Sequence, residues 1–168
     1  MILHKGQYLE LIRENNWEYV RRTTCNGIVV VVPMTADGKV IFVEQFRKPV
    51  GAHVIEWPAG LVNDRTSHGP ETMEAAARRE LLEETGYEAG QLSFLVQGPV
   101  SSGLSSEIIT IFQALDVVKK GPGGGDETES IKVHEVPLAE ADLWLCEMEK
   151  KGLLVDPKVY TGLYFLKT

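Results

Sequence analysis

At 168 residues, 43% hydrophobic and 24% charged, the chain is long enough to bury one core and does not have the composition of a disordered segment. A formal net charge of −7 argues against the basic face that nucleic acid or an anionic membrane surface requires, so an anionic ligand would be held by a few local arginines and by metal. No apolar run approaches the ~18–20 residues of a membrane span. No secretory leader is expected, and Cys25 and Cys146 lie far apart, as expected of two reduced thiols in a cytoplasmic protein.

In chain order, residues 8–12 and 17–20 predict two strands joined by a turn at Asn15-Asn16. The β-branched run 27–32 predicts a strand buried on both faces. Ala36-Asp37-Gly38-Lys39 reads as a hairpin turn into a strand over 40–46. From Glu74-Ala75-Ala76-Ala77 through Arg78-Arg79-Glu80-Leu81-Leu82-Glu83-Glu84-Thr85 every residue up to Glu84 is a good helix former, and Gly86 is a natural C-cap. Strands follow over 92–97 and 108–116. Gly121-Pro122-Gly123-Gly124-Gly125 cannot hold regular structure and is expected to be a mobile loop. A strand over 131–136 and helices over 138–150 and 157–166 complete one mixed α/β domain spanning 1–168.

At ~100° per residue, Glu80, Glu83 and Glu84 share one helical face, at the end where the helix dipole is negative. Each such repulsion costs only a few tenths of a kcal/mol, and a bound cation would remove it. Hard oxygen ligands suit Mg²⁺ or Mn²⁺ rather than zinc. A solvated acidic face, with Glu74–Arg78 and Arg79–Glu83 as i,i+4 pairs, accounts for the same residues. Asp126-Glu127-Thr128-Glu129 is likewise either an acidic hairpin tip or a catalytic loop. Arg47 reads equally as a surface residue ending a strand or as a fork for pyrophosphate oxygens. Trp57 is a packing residue or a platform for a base, packing being the more common role of an aromatic beside a proline. His4, His53, His68 and His134 lack metal-ligand spacing.

Glu71 followed by Arg79-Glu80-Leu81-Leu82-Glu83-Glu84-Thr85-Gly86-Tyr87 resembles the Nudix box, whose second half reads Arg-Glu-apolar-any-Glu-Glu-any-Gly-apolar. The box opens with a glycine six residues before its first glutamate; the matching residue here is Gly60, which makes 63–69 an insertion ahead of the helix. The resemblance implies an α/β/α sandwich with a mixed β-sheet, here with an N-terminal β-hairpin arm over about 1–24. Three further runs are similar to the ADP-ribose pyrophosphatase branch of that family. Glu44-Gln45-Phe46-Arg47 implies that Arg47 contacts substrate, and Glu56-Trp57-Pro58-Ala59-Gly60 implies that the Ala59 carbonyl ligates metal. Ser105-Ser106-Glu107 implies a substrate contact through Glu107. Ser102-Gly103 stands where the branch carries Pro-Gly, which leaves other nucleoside diphosphate sugars open as substrates.

By the same resemblance, Glu80, Glu84 and Glu129 are metal ligands and Glu83 is a further carboxylate of the site. Arg79 orients these carboxylates, with Glu71 as its partner. Glu127 orients or deprotonates the attacking water, although the roles of Glu127 and Glu129 are exchangeable at this level. Arg21 and Arg22 are further substrate contacts, with a homodimer built through the N-terminal strands as a possible source. The implied activity is metal-dependent hydrolysis of ADP-ribose or a related nucleotide sugar to a nucleoside monophosphate and a sugar phosphate. A catalytically inactive nucleotide-sugar sensor and a nucleoside triphosphate pyrophosphohydrolase are the alternatives. The complete carboxylate set argues against the first, and the Ser-Ser-Glu and Asp-Glu-Thr-Glu runs against the second.

Overall fold

The computed structural model of the chain describes residues 1–23, 25–63, 70–125 and 130–168. Three antiparallel strands open it: β1 (Ile2–Lys5), β2 (Leu9–Glu14) and β3 (Trp17–Arg22), in the order β1-β2-β3. The expected hairpin is β2–β3, turning where Asn15 adopts a positive φ of 52°. Asparagine tolerates that left-handed conformation better than most residues. The third strand, β1, was not anticipated from the sequence. Its partner register on β2 is irregular between Ile2 and His4, and all four of its residues are exposed.

β4 (Gly27–Met34) and β5 (Lys39–Arg47) form the expected hairpin, closed by Thr35, whose hydroxyl accepts the Lys39 N–H at 3.0 Å, and by Gly38 at φ 79°. Then come β6 (Ala52–Glu56), β7 (Ala59–Val62), α1 (Met73–Thr85), β8 (Tyr87–Glu88), β9 (Gln91–Pro99) and β10 (Ile108–Leu115). β11 (Val118–Lys119), β12 (Lys132–Pro137), a 3-10 turn (Leu138–Glu140), α2 (Ala141–Lys150), β13 (Leu154–Val155) and α3 (Pro157–Lys167) complete the order. The main sheet runs β13-β6-β5-β4-β10-β9, with β12 also paired to β5 and β7 to β4. It is mixed: β10 lies parallel to β4 and β13 to β6, while the other pairings are antiparallel.

The β-branched run of β4 explains the layers. Successive side chains of a strand point to opposite faces, so a strand covered on both sides reads as unbroken hydrophobicity. Val29 and Val31 pack with Ala76, Ala77 and Leu81 of α1, whereas Val30 and Val32 pack with Leu145 of α2 and Val159 and Leu163 of α3. The result is the expected helix–sheet–helix sandwich. Burying Leu81 alone contributes roughly 1.5–3 kcal/mol, which locks the registration of α1 on the sheet.

α1 begins at its N-cap Thr72, whose hydroxyl accepts the Ala75 N–H, and ends at Gly86 in the left-handed conformation, φ 76°. The glycine run after β11 has no regular structure, as expected. Rather than a free tether, its described part is hydrogen-bonded to the end of α1: the N–H groups of Gly124 and Gly125 donate to the Glu84 and Glu83 carbonyls. Among the described residues no helix is long and apolar enough to cross a membrane. Cys146 is an exposed, free cysteine.

Candidate active site

One wall of the site is the step from β6 to β7. Glu56 ends β6, Trp57 and Pro58 cross, and Ala59 begins β7, so pairing passes from β5 to β4. Pro58 contributes its carbonyl to the Val31 N–H at 2.8 Å, which holds the crossing against the centre of the sheet. Trp57 makes the step rigid. Its ring is buried 4.6 Å from that of Phe42, and its Nε1 donates to the Lys158 carbonyl at 3.0 Å. A side chain at Gly162 would stand 2.7 Å from Trp57 Cε2, so only glycine lets α3 approach this closely. Trp57 is therefore a packing residue, as its place beside a proline suggests.

The second wall is α1. Arg79 is its electrostatic centre: Nε and Nη2 donate to the two Glu71 oxygens at 2.8 and 3.1 Å, and Nη2 also to the Leu61 carbonyl at 3.0 Å. Nη1 reaches Glu80 Oε1 at 2.7 Å and Glu83 Oε2 at 3.3 Å. These bonds, the one to Glu71 foremost, push the guanidinium pKa above its already high ordinary value, so Arg79 is a permanent cation. Glu84, almost wholly buried, turns the other way and accepts the Ala59 N–H at 3.0 Å, which joins the two walls. Glu71 is itself held by Asn63, whose Oδ1 accepts the Glu71 N–H at 2.6 Å; this pins together the two ends of the insertion.

Between the walls lies a cavity of about 420 Å³, within the size range of small-molecule sites. Glu80 and Glu83 of α1 and Ala59 and Gly60 of β7 border it. Arg22, Arg47 and Lys158 also line it and supply positive charge, and Ile28, Val30 and Ile109 form an apolar part. A second cavity of about 360 Å³ shares Val100, Ile109 and Lys158 with it. Arg47 Nε donates to Glu56 Oε2 at 2.6 Å. Burial holds the Glu56 carboxyl above the ordinary carboxylate range even with that guanidinium beside it. Arg22 Nε donates to Glu107 Oε1 at 2.9 Å, and the backbones of Val20, Leu104 and Ser106 bond to keep β3 beside this segment.

The residues singled out from sequence fall into three groups. Arg22, Arg47, Ala59, Glu80, Glu83 and Glu107 border the cavity, with Arg79 and Glu84 directly behind it. Arg21 does not border it: its guanidinium pairs at 2.7 Å with the buried Glu10 of β2, within the arm. Glu127, Glu129 and residues 64–69 lie outside the described residues. Lys158, from the first turn of α3, was not singled out from sequence; its ammonium pairs with the α3 N-cap Asp156, and no local motif marks a residue so distant from the box. Glu56 lay inside a quoted run, but only tertiary burial reveals its pairing with Arg47. Glu44 takes His134 Nε2 at 2.8 Å and His53 Nδ1 at 3.4 Å, the ordinary polar roles expected of those histidines.

The shared face of Glu80, Glu83 and Glu84 is present, yet among the described residues no three acidic, histidine or cysteine side chains converge as a metal-ion site. Glu80 and Glu83 are drawn to Arg79 and Glu84 to Ala59. The residues nonetheless fit a hard divalent cation. The donors are all carboxylate or carbonyl oxygens, from two walls joined by the Ala59–Glu84 bond, and the Glu80 carboxylate lies so close over Gly60 that any Cβ there would overlap it.

The sequence profile of the NUDIX domain matches residues 26–158. The chain is 34% identical over 142 residues to a methanol dehydrogenase activator of Bacillus methanolicus, covering 84% of this chain and 72% of the relative. It is 40% identical over 116 residues to an ADP-ribose pyrophosphatase of Bacillus subtilis, covering 68% of this chain and 60% of the relative. It is 32% identical over 167 residues to a GDP-mannose pyrophosphatase of Escherichia coli K12, covering 95% and 81%. A crystal structure of an ADP compounds hydrolase superposes with a TM-score of 0.71 at 22% identity, over 99% of this chain and 89% of that one, a likeness of fold. With the box helix, the sandwich and a matched span of this length, the chain belongs to the Nudix family.

Proposed function

We propose that the protein hydrolyses the pyrophosphate bond of ADP-ribose or a related nucleoside diphosphate sugar, releasing a nucleoside monophosphate and a sugar phosphate. The observation that carries this reading is the cavity itself, which Arg22, Arg47 and Lys158 line together with the α1 carboxylates Glu80 and Glu83, in a space sized for a small ligand. Two guanidinium forks and an ammonium suit a diphosphate, whose oxygens accept paired N–H groups. Relatives named for ADP-ribose and GDP-mannose cleavage support the same substrate class.

Glu80, Glu83, Glu84 and the Ala59 carbonyl are the groups that would hold the metal, with Glu129 assigned to it from sequence. Bound there, Mg²⁺ or Mn²⁺ would neutralise phosphate oxygens and lower the pKa of a bound water. Arg79 keeps Glu71, Glu80 and Glu83 gathered, Glu56 aims Arg47, and Glu107 aims Arg22. Glu127 is the assigned base. The second, more apolar cavity offers room for the part of the substrate that carries no phosphate.

A homodimer through the arm belongs to this reading. Ile2, Leu9 and Trp17 are exposed on its three strands and Tyr8 just before β2, an apolar surface that a second copy would cover, and Arg21 would then reach substrate only across that interface. Light scattering after size exclusion tests it. The function is tested by incubating the protein with Mg²⁺ and ADP-ribose, ADP-glucose, GDP-mannose, UDP-glucose or 8-oxo-dGTP and identifying products by mass. A nucleoside monophosphate with a sugar phosphate is expected from at least one nucleotide sugar. Cleavage of 8-oxo-dGTP alone would replace the reading with triphosphate hydrolysis, and tight binding without turnover would replace it with a sensor.

A further inference from the structure

α1 ends badly by its own sequence. Its last turn carries Glu83 and Glu84 and no basic residue, so two negative side chains sit at the negative end of the dipole, where carbonyls lack intrahelical partners. The structure resolves this from a distant part of the chain. Gly86, the local C-cap, donates only to the Leu82 carbonyl at 2.8 Å, whereas Gly125 N–H donates to the Glu83 carbonyl at 3.1 Å and Gly124 N–H to the Glu84 carbonyl at 2.8 Å. Lys120 and Gly121 both donate to the Gly86 carbonyl, at 2.7 and 3.1 Å.

The contact is backbone on backbone. Gly123, at φ 68°, lies against the helix end so closely that a Cβ would stand 2.7 Å from Gly86 N and Thr85 Cα, and nearer still to Thr85 C. From the other side, a Cβ on Gly86 would come within 2.7 Å of Gly123 N. Such atoms cannot swing aside as a side chain can. Gly121, by contrast, has nothing within 4 Å of its Cβ direction and no positive φ.

We propose that the glycine run is a positioning element for the active-site helix: beyond the local C-cap at Gly86, Gly124 and Gly125 cap the carbonyls of Glu84 and Glu83, and so hold these two carboxylates beside Ala59 and Arg79. Gly123 is the position on which the fit depends. The idea rests on the reading of Glu80, Glu83 and Glu84 as the working carboxylates, and it explains why three glycines are needed where one would serve a flexible loop.

The test compares Gly123→Ala with Gly121→Ala in the full chain. Mn²⁺ alone is titrated by electron paramagnetic resonance, and the Ala59 amide, bonded to Glu84, is followed by NMR without metal. Gly121→Ala should match the parent, whereas Gly123→Ala should keep the fold, bind Mn²⁺ about tenfold more weakly and shift the Ala59 amide. Parent-like Mn²⁺ affinity and an unmoved Ala59 amide in Gly123→Ala would overturn the proposal. If Gly123→Ala does not fold, amide exchange in the parent decides: protection of Gly124 and Gly125 by about 100-fold or more supports the capping, and free exchange refutes it. If the parent itself binds no Mn²⁺, the metal reading fails, and the Ala59 amide alone still judges the cap.

Discussion

Gly60→Ala separates a role in chemistry from a role in folding. The Gly60 φ is not positive, so alanine meets no backbone strain there; the difficulty is space alone. The added methyl would stand 2.5 Å from Glu80 Oε2 and closer to the other two carboxylate atoms, where ordinary contact begins at 3.4 Å. The carboxylate must therefore move by more than about 1 Å, and a displacement of that order costs about 10²-fold in turnover when a reacting geometry depends on it. Stability should suffer little. The group that gives way is the end of a flexible side chain, and Arg79 retains both Glu71 oxygens and the Leu61 carbonyl. Losing the Arg79–Glu80 bond costs about 2 kcal/mol at most, partly offset by about 0.5 kcal/mol from the stiffer unfolded chain. At about 2–4 °C per kcal/mol for a chain of this size, the melting temperature should fall by no more than about 6 °C. The assay is kcat for nucleotide-sugar hydrolysis beside a thermal melt, with Gly103→Ala, which has open space, as the control. Parent-like kcat in Gly60→Ala would refute the reasoning, and so would a loss of activity that merely tracks unfolding.

Glu84→Gln should abolish most turnover while the protein remains folded, since the amide can keep accepting the Ala59 N–H but deletes the charge; retention of parent activity in excess Mg²⁺ would refute the ligand assignment. Trp57→Ala should lower stability by about 3–5 kcal/mol, read from urea denaturation, because it empties a fully buried ring site and frees the Lys158 carbonyl. Glu56 makes a pH prediction. Its folded pKa lies above the ordinary 4.5, so the folded state binds that proton more tightly than the unfolded chain. Its contribution to stability is full below pH 4.5 and is lost as the pH rises through the raised value. In metal-free urea titrations the stability of the parent relative to Glu56→Gln should accordingly decline from pH 4.5 upward; a relative gain with rising pH would contradict the burial assigned to this carboxyl.

The helix 73–85, its glycine stop, the strands of six or more residues and the charge pattern were legible because each depends on neighbours a few residues away. Helix formers, a left-handed cap and i,i+4 spacing act locally, and the unbroken valine run carried its two-sided burial in its own composition. The family motif likewise preserved Ala59 and the box carboxylates as a linear record. Other features were decided by contacts between distant segments. The short strands β1, β6, β7, β8, β11 and β13, none of them expected from sequence, and the switch of pairing at Trp57-Pro58 depend on which partner edges are available, which no local pattern encodes. Lys158 enters the cavity only because Gly162 lets α3 settle on Trp57, and Arg21 leaves it because Glu10 is buried beside it in the arm. The glycines 121–125 read locally as freedom, but the unsatisfied carbonyls of α1 turn their missing side chains into close fit. Short-range propensity thus determined which segments and charged groups this chain would have, and long-range packing and hydrogen-bond satisfaction determined which of them meet.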